Sequence, residues 1–243
     1  MTPLHDLFDT HAVASYDKQL CLADVVGERS WSADPRKGLI RFGSDLEFAA
    51  QVVGTQSDID NTWLWAWANQ QSALPPDVLM AAEHVRRVGC DLGIPELQTP
   101  KFELVDFDGH FMAMVTSGIC QADCYYRAPY EGGAAFLLVQ DAKVVRARAD
   151  FSAQSVVNRF TDFICHWDAN HRHALEAYLR YKGYSFVVAG SVLRASSPKG
   201  QSLTARFDDL GRLSRIEAVI SPPRQSFARR CLRRLLPRKP SDA

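Results

Sequence analysis

The chain has 243 residues, of which 47% are hydrophobic and 23% are charged, and its formal net charge is zero. This composition excludes a largely disordered protein, and no stretch approaches the roughly 20 consecutive apolar residues that cross a bilayer. The N-terminus lacks a basic start followed by an apolar run, so we expect a cytoplasmic protein whose six scattered cysteines are reduced.

The first part of the chain begins with a predicted helix and continues with strands. Apolar residues at helical spacing predict a helix over residues 4–26, which Gly27 would end. A hairpin is predicted for residues 29–42 because its centre is rich in turn residues. Two longer strands are expected at residues 46–53 and 62–68.

Five further elements are predicted before residue 145. In chain order they are a helix, a strand, a helix and two strands. The first helix is expected from residue 78 to Gly89 or Gly93, and the other elements at residues 99–105, 109–119, 124–127 and 134–140. The second of these helices has Asp106 or Asp108 available as its N-cap. This order predicts an α+β fold with a largely antiparallel sheet and packed helices.

The later part of the chain predicts two helices followed by a three-strand meander. The helices are expected at residues 152–166 and 171–182, and the strands near residues 184–194, 203–207 and 213–220.

We divide the chain into three parts by charge and element order. Residues 1–145 form the predicted acidic α+β domain, residues 146–221 the helix–helix–meander segment, and residues 222–243 a basic tail. The middle segment is either a separate domain or an extension of the first sheet.

The neutral net charge conceals a marked asymmetry along the chain. Residues 1–145 have a net charge of −10, residues 146–223 of +4 and residues 224–243 of +6. An acidic first part argues against nucleic acid as a ligand and favours a basic protein partner, a cation or the chain's own basic end.

Three of the five tryptophans, Trp63, Trp65 and Trp67, stand at alternate positions. If the segment is extended, they share one face of a strand. A tryptophan ladder in the core is the favoured interpretation because large aromatic side chains are usually buried. The alternative is an exposed platform for sugar rings or unpaired bases, which for bases would also need a positive groove.

The segment from Thr62 to Asn69 reads TWLWAWAN; Val52–Thr55 precedes it, and the chain later contains Tyr126-Arg127-Ala128-Pro129. With these features the chain resembles a bacterial family of unknown function over about residues 5–145. The resemblance implies a fold boundary near residue 145 and implies no particular activity.

An aromatic pocket with an arginine at its edge is the ligand-binding hypothesis. Arginine beside aromatic rings suits an anionic or planar ligand. The six residues of this hypothesis are Trp63, Trp65, Trp67, Asn69, Tyr126 and Arg127.

The weak metal candidates are Asp162, His166 and His173, which would share one face of an unbroken helix. A turn near residues 167–170 favours solvated or capping roles instead, so no metal and no cofactor is expected. The acidic pairs Asp58 with Asp60 and Asp106 with Asp108 are likewise explained more simply as turn and cap residues.

The chain contains no GxSxG, GxxxxGK[ST], GxGxxG or HExxH motif, which argues against an enzyme without deciding the question. The leading interpretation is a non-enzymatic protein-binding module, immunity-like or accessory, with an acidic recognition surface. The alternatives are a small-ligand-binding protein or an enzyme that uses the aromatic pocket, and peripheral membrane association through the tail.

The tail predicts a short basic amphipathic helix. Its arginines are Arg229, Arg230, Arg233 and Arg234. Such a helix suits weak contact with an anionic membrane, a groove on a partner, or the acidic first part of the chain.

Overall fold

The computed structural model describes residues 2–141, 143–144 and 150–219. Within these residues the chain forms six α-helices and two antiparallel sheets, which confirms the predicted α+β class. The helices, numbered α1 to α6, are Pro3–Val26, Met80–Leu92, Pro95–Gln98, Gly109–Ile119, Ala153–His166 and His171–Tyr181.

A seven-stranded sheet is built around one long strand, and a four-stranded meander follows it. The strands, numbered β1 to β11, are Trp31–Asp34, Leu39–Phe42, Leu46–Ser57, Thr62–Trp65, Lys101–Glu103, Cys124–Tyr130, Gly133–Val139, Ser185–Ala189, Val192–Ser196, Ser202–Phe207 and Leu213–Val219. Strand β3 pairs with β2, β4 and β7, while β1, β5 and β6 pair with β2, β4 and β7, respectively. Strands β8 to β11 pair in chain order.

Helix α1 begins and ends at the residues that its sequence predicts. Thr2 is its N-cap and accepts a hydrogen bond from the backbone N–H of His5, and Gly27 ends it with a positive φ of 55°. The helix packs against α4 and α6, and the ring of Phe8 stacks on that of Phe111 with centroids 4.1 Å apart. Because α1 lies in the centre of the fold, many of its side chains are buried.

The strands on either side of residue 58 differ from their predicted lengths. Strand β3 runs on past Gly54, where an added Cβ would meet the indole ring of Trp63 at 2.5 Å. Glycine at this position therefore allows close packing within a strand, although the sequence pattern indicates a turn. Strand β4 ends at Trp65 because residues Ala66–Ala68 form a 3₁₀ turn.

Helices α2 and α4 confirm the end signals in the sequence. Gly93 ends α2 in the left-handed conformation, with φ of 66°. Asp108 is the N-cap of α4, and its Oδ1 accepts a hydrogen bond of 2.9 Å from the backbone N–H of Phe111.

The second sheet has one strand more than the sequence predicts. Residues 184–194 were expected to form a single strand, but they form the hairpin of β8 and β9. Gly190 turns the chain there with a positive φ of 58°, which only glycine adopts without a steric penalty. The meander therefore has four strands.

One buried cluster contains residues from both parts of the chain. It includes Phe8 and Phe136 from the first part together with Phe160, Phe163 and Leu193 from the second. The helices and the meander therefore share a hydrophobic core with one face of the seven-stranded sheet.

A buried polar network also joins the two parts. Asp17 on α1 accepts a hydrogen bond of 2.9 Å from the Tyr178 hydroxyl and forms ion pairs with Lys182 at 2.6 Å and Arg159 at 3.3 Å. Because the hydroxyl and both cations converge on the Asp17 carboxylate, that buried charge is paired and hydrogen-bonded, and the network fixes α1 against α5 and α6.

Candidate functional site

The tryptophans of β4 lie in the core. The side chains of Trp63 and Trp65 are fully buried, and their rings meet edge to face with centroids 5.4 Å apart. Trp63 also packs on Phe136, and the indole N–H of Trp65 donates to the backbone carbonyl of Glu96 at 2.9 Å. Neither ring offers an exposed face for stacking.

Trp67 and Asn69 leave the face that the alternating pattern assigns to them. The 3₁₀ turn rotates Trp67 away from the strand, and the guanidinium of Arg86 lies 4.3 Å from its ring centroid. The side chain of Asn69 accepts a hydrogen bond from the backbone N–H of Ser72. Both residues thus take part in the local packing after β4.

Tyr126 and Arg127 are consecutive residues of β6, so their side chains point to opposite faces of the sheet. Tyr126 packs against Trp31 and Phe42, with centroids 5.6 Å and 5.0 Å away. Arg127 pairs with Asp58 at 3.6 Å. The six residues of the ligand-binding hypothesis therefore do not line one common pocket.

Two of the three weak metal candidates, Asp162 and His166, lie one turn apart on α5, with the His166 Nδ1 3.8 Å from an Asp162 carboxylate oxygen, whereas His173 lies on α6. On α5, the ring Nδ1 of His166 is 2.8 Å from the backbone carbonyl of Asp162, whose side chain accepts a hydrogen bond of 2.6 Å from Tyr16. His173 belongs to α6, and its Nε2 lies 3.2 Å from the hydroxyl of Thr10. The tail arginines Arg229, Arg230, Arg233 and Arg234 lie outside the described residues.

Several loops lie at one end of the seven-stranded sheet and form a single surface. The register aligns five residues across it, in the order Tyr130, Gly133, Ser57, Thr62 and Glu103. The loops that adjoin these five residues therefore lie next to one another at this end of the sheet. We call residues 57–62, 103–106 and 130–133 the sheet-end surface.

Large apolar side chains are exposed on the sheet-end surface. Ile59 is 87% exposed, Val105 is 75% exposed and Tyr130 is 51% exposed. Each comes from a different loop or strand end, and the strand register places all three at the same end of the sheet. Exposed apolar residues grouped in this way mark an interaction surface more often than isolated ones do.

The same loops also carry carboxylates. Asp60 pairs with Lys101 at 2.9 Å, and hydrogen bonds from Ser57, Lys101 and Thr62 hold the pKa of Asp60 well below its usual value. Glu103, Asp106 and Glu131 are exposed and have no ion-pair partner in the part of the chain that the structure describes.

Hydrogen bonds hold the loops of the sheet-end surface to one another. Asn61, with φ of 49°, accepts a backbone hydrogen bond of 2.8 Å from Leu104 and donates its side-chain amide to the Leu104 carbonyl. The backbone N–H of Asp58 donates to the carbonyl of Gly132 at 2.9 Å. The exposed side chains therefore stand on a fixed backbone.

A cleft of about 460 Å³ lies elsewhere on the same sheet. Its floor is apolar, and its walls come from the β1–β2 turn and the segment after β4. Its lining includes Arg36, Val52, Ala66, Asn69, Leu74 and Ala135. Of the six residues in the ligand-binding hypothesis, Asn69 lines this cleft.

The sequence interpretation overlooked Ile59 and Val105. A usable signal was present for Ile59, which stands in a polar, turn-rich stretch between two aspartates, where an apolar side chain has no strand or helix face to join. Val105 was assigned to the strand predicted at residues 99–105, whereas β5 ends at Glu103. Among the described residues, no helix combines the length and apolar character needed to cross a membrane.

These features define an α+β protein in which a seven-stranded antiparallel sheet is followed by a helix-supported four-stranded meander. The chain belongs to a family of unknown function, DUF6882, whose pattern matches residues 5–142. This match confirms the resemblance drawn from the sequence, and it contains the whole sheet-end surface. No curated protein and no solved structure matches the chain.

Proposed function

We propose that this chain is a protein-binding module that engages a basic partner at the sheet-end surface. The observation that carries the proposal is that Ile59, Val105 and Tyr130 are all exposed at the same end of the sheet, on loops that also carry exposed carboxylates. An apolar centre with a charged rim is the usual anatomy of a protein interface.

The two kinds of side chain have different parts in the proposed binding. Burial of Ile59, Val105 and Tyr130 would supply affinity, because each removes a large apolar side chain from water. The free carboxylates of Glu103 and Asp106 would attract a basic partner and orient it during encounter. This division predicts that salt weakens association mainly by slowing it.

The fixed backbone of the loops supports the proposal as well. Because the hydrogen bonds between Asn61 and Leu104 and between Asp58 and Gly132 already order the loops, binding loses little backbone entropy there. We therefore propose recognition by a surface that is formed before the partner arrives.

The first experiment compares wild type with Ile59→Ser/Val105→Ser as bait in a quantitative pull-down from lysate of the source organism. The matched control is Val187→Ser/Leu210→Ser, which removes two side chains that are 66% and 76% exposed on the second sheet and its last turn. We expect a partner that the control retains and the sheet-end variant loses, with folding of all three checked by circular dichroism.

A second pair of variants tests the acidic rim. Glu103→Lys/Asp106→Lys reverses carboxylates that have no ion pair among the described residues, so folding should be unaffected. The association rate of the captured partner should fall at least tenfold at low salt, and the difference should shrink at high salt. Capture that is equal for all variants would contradict the proposal.

Binding of a small ligand in the cleft is a second candidate function. The cleft volume of about 460 Å³ lies within the usual range for small-molecule pockets, about 300–1,000 Å³. Its apolar floor at Val52 and Ala135, with Arg36 and Asn69 at the walls, suits a largely apolar molecule that carries one polar group.

A thermal-shift screen of a metabolite panel tests this candidate. Ala135→Leu would fill part of the cleft from β7, and Ala33→Leu would do so from β1. A compound that raises the unfolding temperature of wild type and of Val187→Ser, but of neither cleft variant, would support it. A panel without any saturable shift would count against it.

A further inference from the structure

Helices α1 and α6 bring two carboxylates and an imidazole together. Asp6 and Asp9 lie in the first turns of α1, and His173 lies in the first turn of α6. One ligand atom from each residue lies within 4.8 Å of the others. The sequence interpretation placed His173 with Asp162 and His166, whereas the fold places it beside α1.

Asp9 is the unusual member of this group because its carboxylate is almost completely buried. The residue is 2% exposed, and its Oδ1 accepts a hydrogen bond of 2.9 Å from the backbone N–H of Asn170. Its Oδ2 is shielded from solvent and has no hydrogen-bond partner among the described residues. A buried carboxylate oxygen without a partner is strongly unfavourable, so a cation is the natural complement.

The hydroxyl of Thr10 contacts both Asp6 and His173. It donates to the backbone carbonyl of Asp6 at 2.7 Å and lies 3.2 Å from the Nε2 of His173. With its own proton engaged, the hydroxyl accepts a hydrogen bond from the tautomer that carries the ring proton on Nε2, and that tautomer keeps a lone pair on Nδ1. Histidines that bind metals commonly donate their other ring N–H in this way.

The group can be reached from solvent. Asp6 is exposed, and Asp9 lines a cavity of about 250 Å³ that also contains Asn170, His171 and Arg212. The neighbouring cation does not compete for the carboxylates, because the Arg212 guanidinium pairs with Asp208 at 2.8 Å. The Nδ1 of His171 accepts a hydrogen bond from the backbone N–H of Leu213, so that atom is occupied.

We propose that Asp6, Asp9 and His173 bind a divalent transition-metal ion of the zinc class. Two carboxylate oxygens and one imidazole nitrogen are suitable ligands for Zn²⁺ or Mn²⁺. Zinc requires ligand distances of about 2.0–2.2 Å, so the three side chains would move toward one another when the ion binds. Three protein ligands leave at least one coordination position for water or another ligand.

The site would connect two parts of the chain that the family match separates. Asp6 and Asp9 lie within the matched residues 5–142, whereas His173 lies beyond them. The ion would therefore hold the helical segment against α1, in addition to the Asp17 network. This role is independent of partner binding at the sheet-end surface.

Isothermal titration of the chelator-stripped full chain with Zn²⁺ tests the proposal. Thiols are first alkylated because Cys90 and Cys165 are exposed and thiolates bind zinc. We expect one equivalent to bind to wild type, and binding about tenfold weaker or worse in Asp6→Asn, Asp9→Asn and His173→Gln. A parallel titration with Mn²⁺ identifies which ion the site prefers.

The matched control is His166→Gln, which removes the exposed histidine that lies one turn from Asp162. It should bind the ion as wild type does. If Asp9→Asn does not fold, the exposed Asp6→Asn still decides the question. The proposal is overturned if wild type shows no saturable binding, or if Asp6→Asn and His173→Gln leave the affinity unchanged.

Discussion

Large apolar side chains are buried within β4 but exposed in the loop that precedes it. Toward its C-terminal end, Trp63 and Trp65 are fully buried and packed against other rings. Just before its first residue, Ile59 is 87% exposed at the tip of the loop. The prominent aromatic pattern thus marks the core, whereas the less conspicuous isoleucine marks the surface.

In such a chain we expect binding residues in the exposed loops and not in the aromatic pattern of the central strand. Large rings at alternate positions of a central strand are needed for packing, and their removal should affect folding. Loops carried on a rigid sheet are free to differ in their exposed side chains, and binding residues are concentrated there.

Trp63→Ala should lower the free energy of unfolding by about 3–5 kcal/mol, because it leaves a large cavity beside Trp65 and Phe136. Urea unfolding followed by circular dichroism measures the change. Ile59→Ala, the control, should alter stability by no more than about 0.5 kcal/mol. A stable Trp63→Ala protein would show that the ring is not part of the core and would reopen the aromatic pocket hypothesis.

Gly54→Ala tests how closely the indole lies against β3. The new Cβ would come within 2.5 Å of the Trp63 ring and 2.8 Å of the Leu64 carbonyl oxygen. Since one of these atoms belongs to the backbone, relief requires the strand to move, and we expect a loss of about 1–3 kcal/mol.

The matched control for Gly54→Ala is Gly93→Ala, which meets no atom within 4 Å but has a positive φ of 66°. Any loss of stability in Gly93→Ala comes from backbone strain, whereas the loss in Gly54→Ala is expected from steric overlap. If the two variants lose the same stability in urea, and Gly54→Ala leaves the near-ultraviolet signal of the tryptophans unchanged, close packing on Trp63 is not the reason for the glycine.

Much of the fold was predictable because its signals are local. The bounds of α4 follow from the Asp108 cap, and those of α1 from Thr2, Pro3 and Gly27. Strand limits were less accurate, since Gly54 belongs to β3 through its contact with Trp63, a residue of the next strand. The turn at Gly190 and Ser191 was missed because apolar runs on both sides of this pair suggest one continuous strand.

The candidate sites were less predictable because they depend on contacts between distant residues. Asp9 and Asn170, which orient the proposed metal site, are 161 residues apart. Ile59, Val105 and Tyr130 are placed at the same end of the sheet only by the register of five strands. Neither helical spacing nor alternation contains this information, so His173 was grouped with its sequence neighbours.

Buried and exposed positions should also differ in how their carboxylates respond to pH. Burial raises the pKa of Asp9 from 3.8, so its protonated form favours the fold. Its contribution to stability is complete below that value and is lost as pH rises through the folded pKa. Hydrogen bonds and Lys101 lower the pKa of Asp60, whose contribution is present above 3.8 and is lost as pH falls.

Asp9→Asn should therefore stabilise the metal-free protein at pH 7, by on the order of 1 kcal/mol, since it removes a buried charge and keeps the acceptor for Asn170. The gain should diminish toward pH 4, where wild-type Asp9 is increasingly protonated. Asp60→Asn should instead be slightly destabilising at pH 7 and neutral at low pH. Urea unfolding of both variants with excess chelator, at pH 4 and pH 7, measures whether each substitution raises or lowers the free energy of unfolding. If Asp9→Asn is destabilising at both pH values, the charged carboxylate is satisfied without an ion, and the contrast between buried and exposed aspartates does not hold.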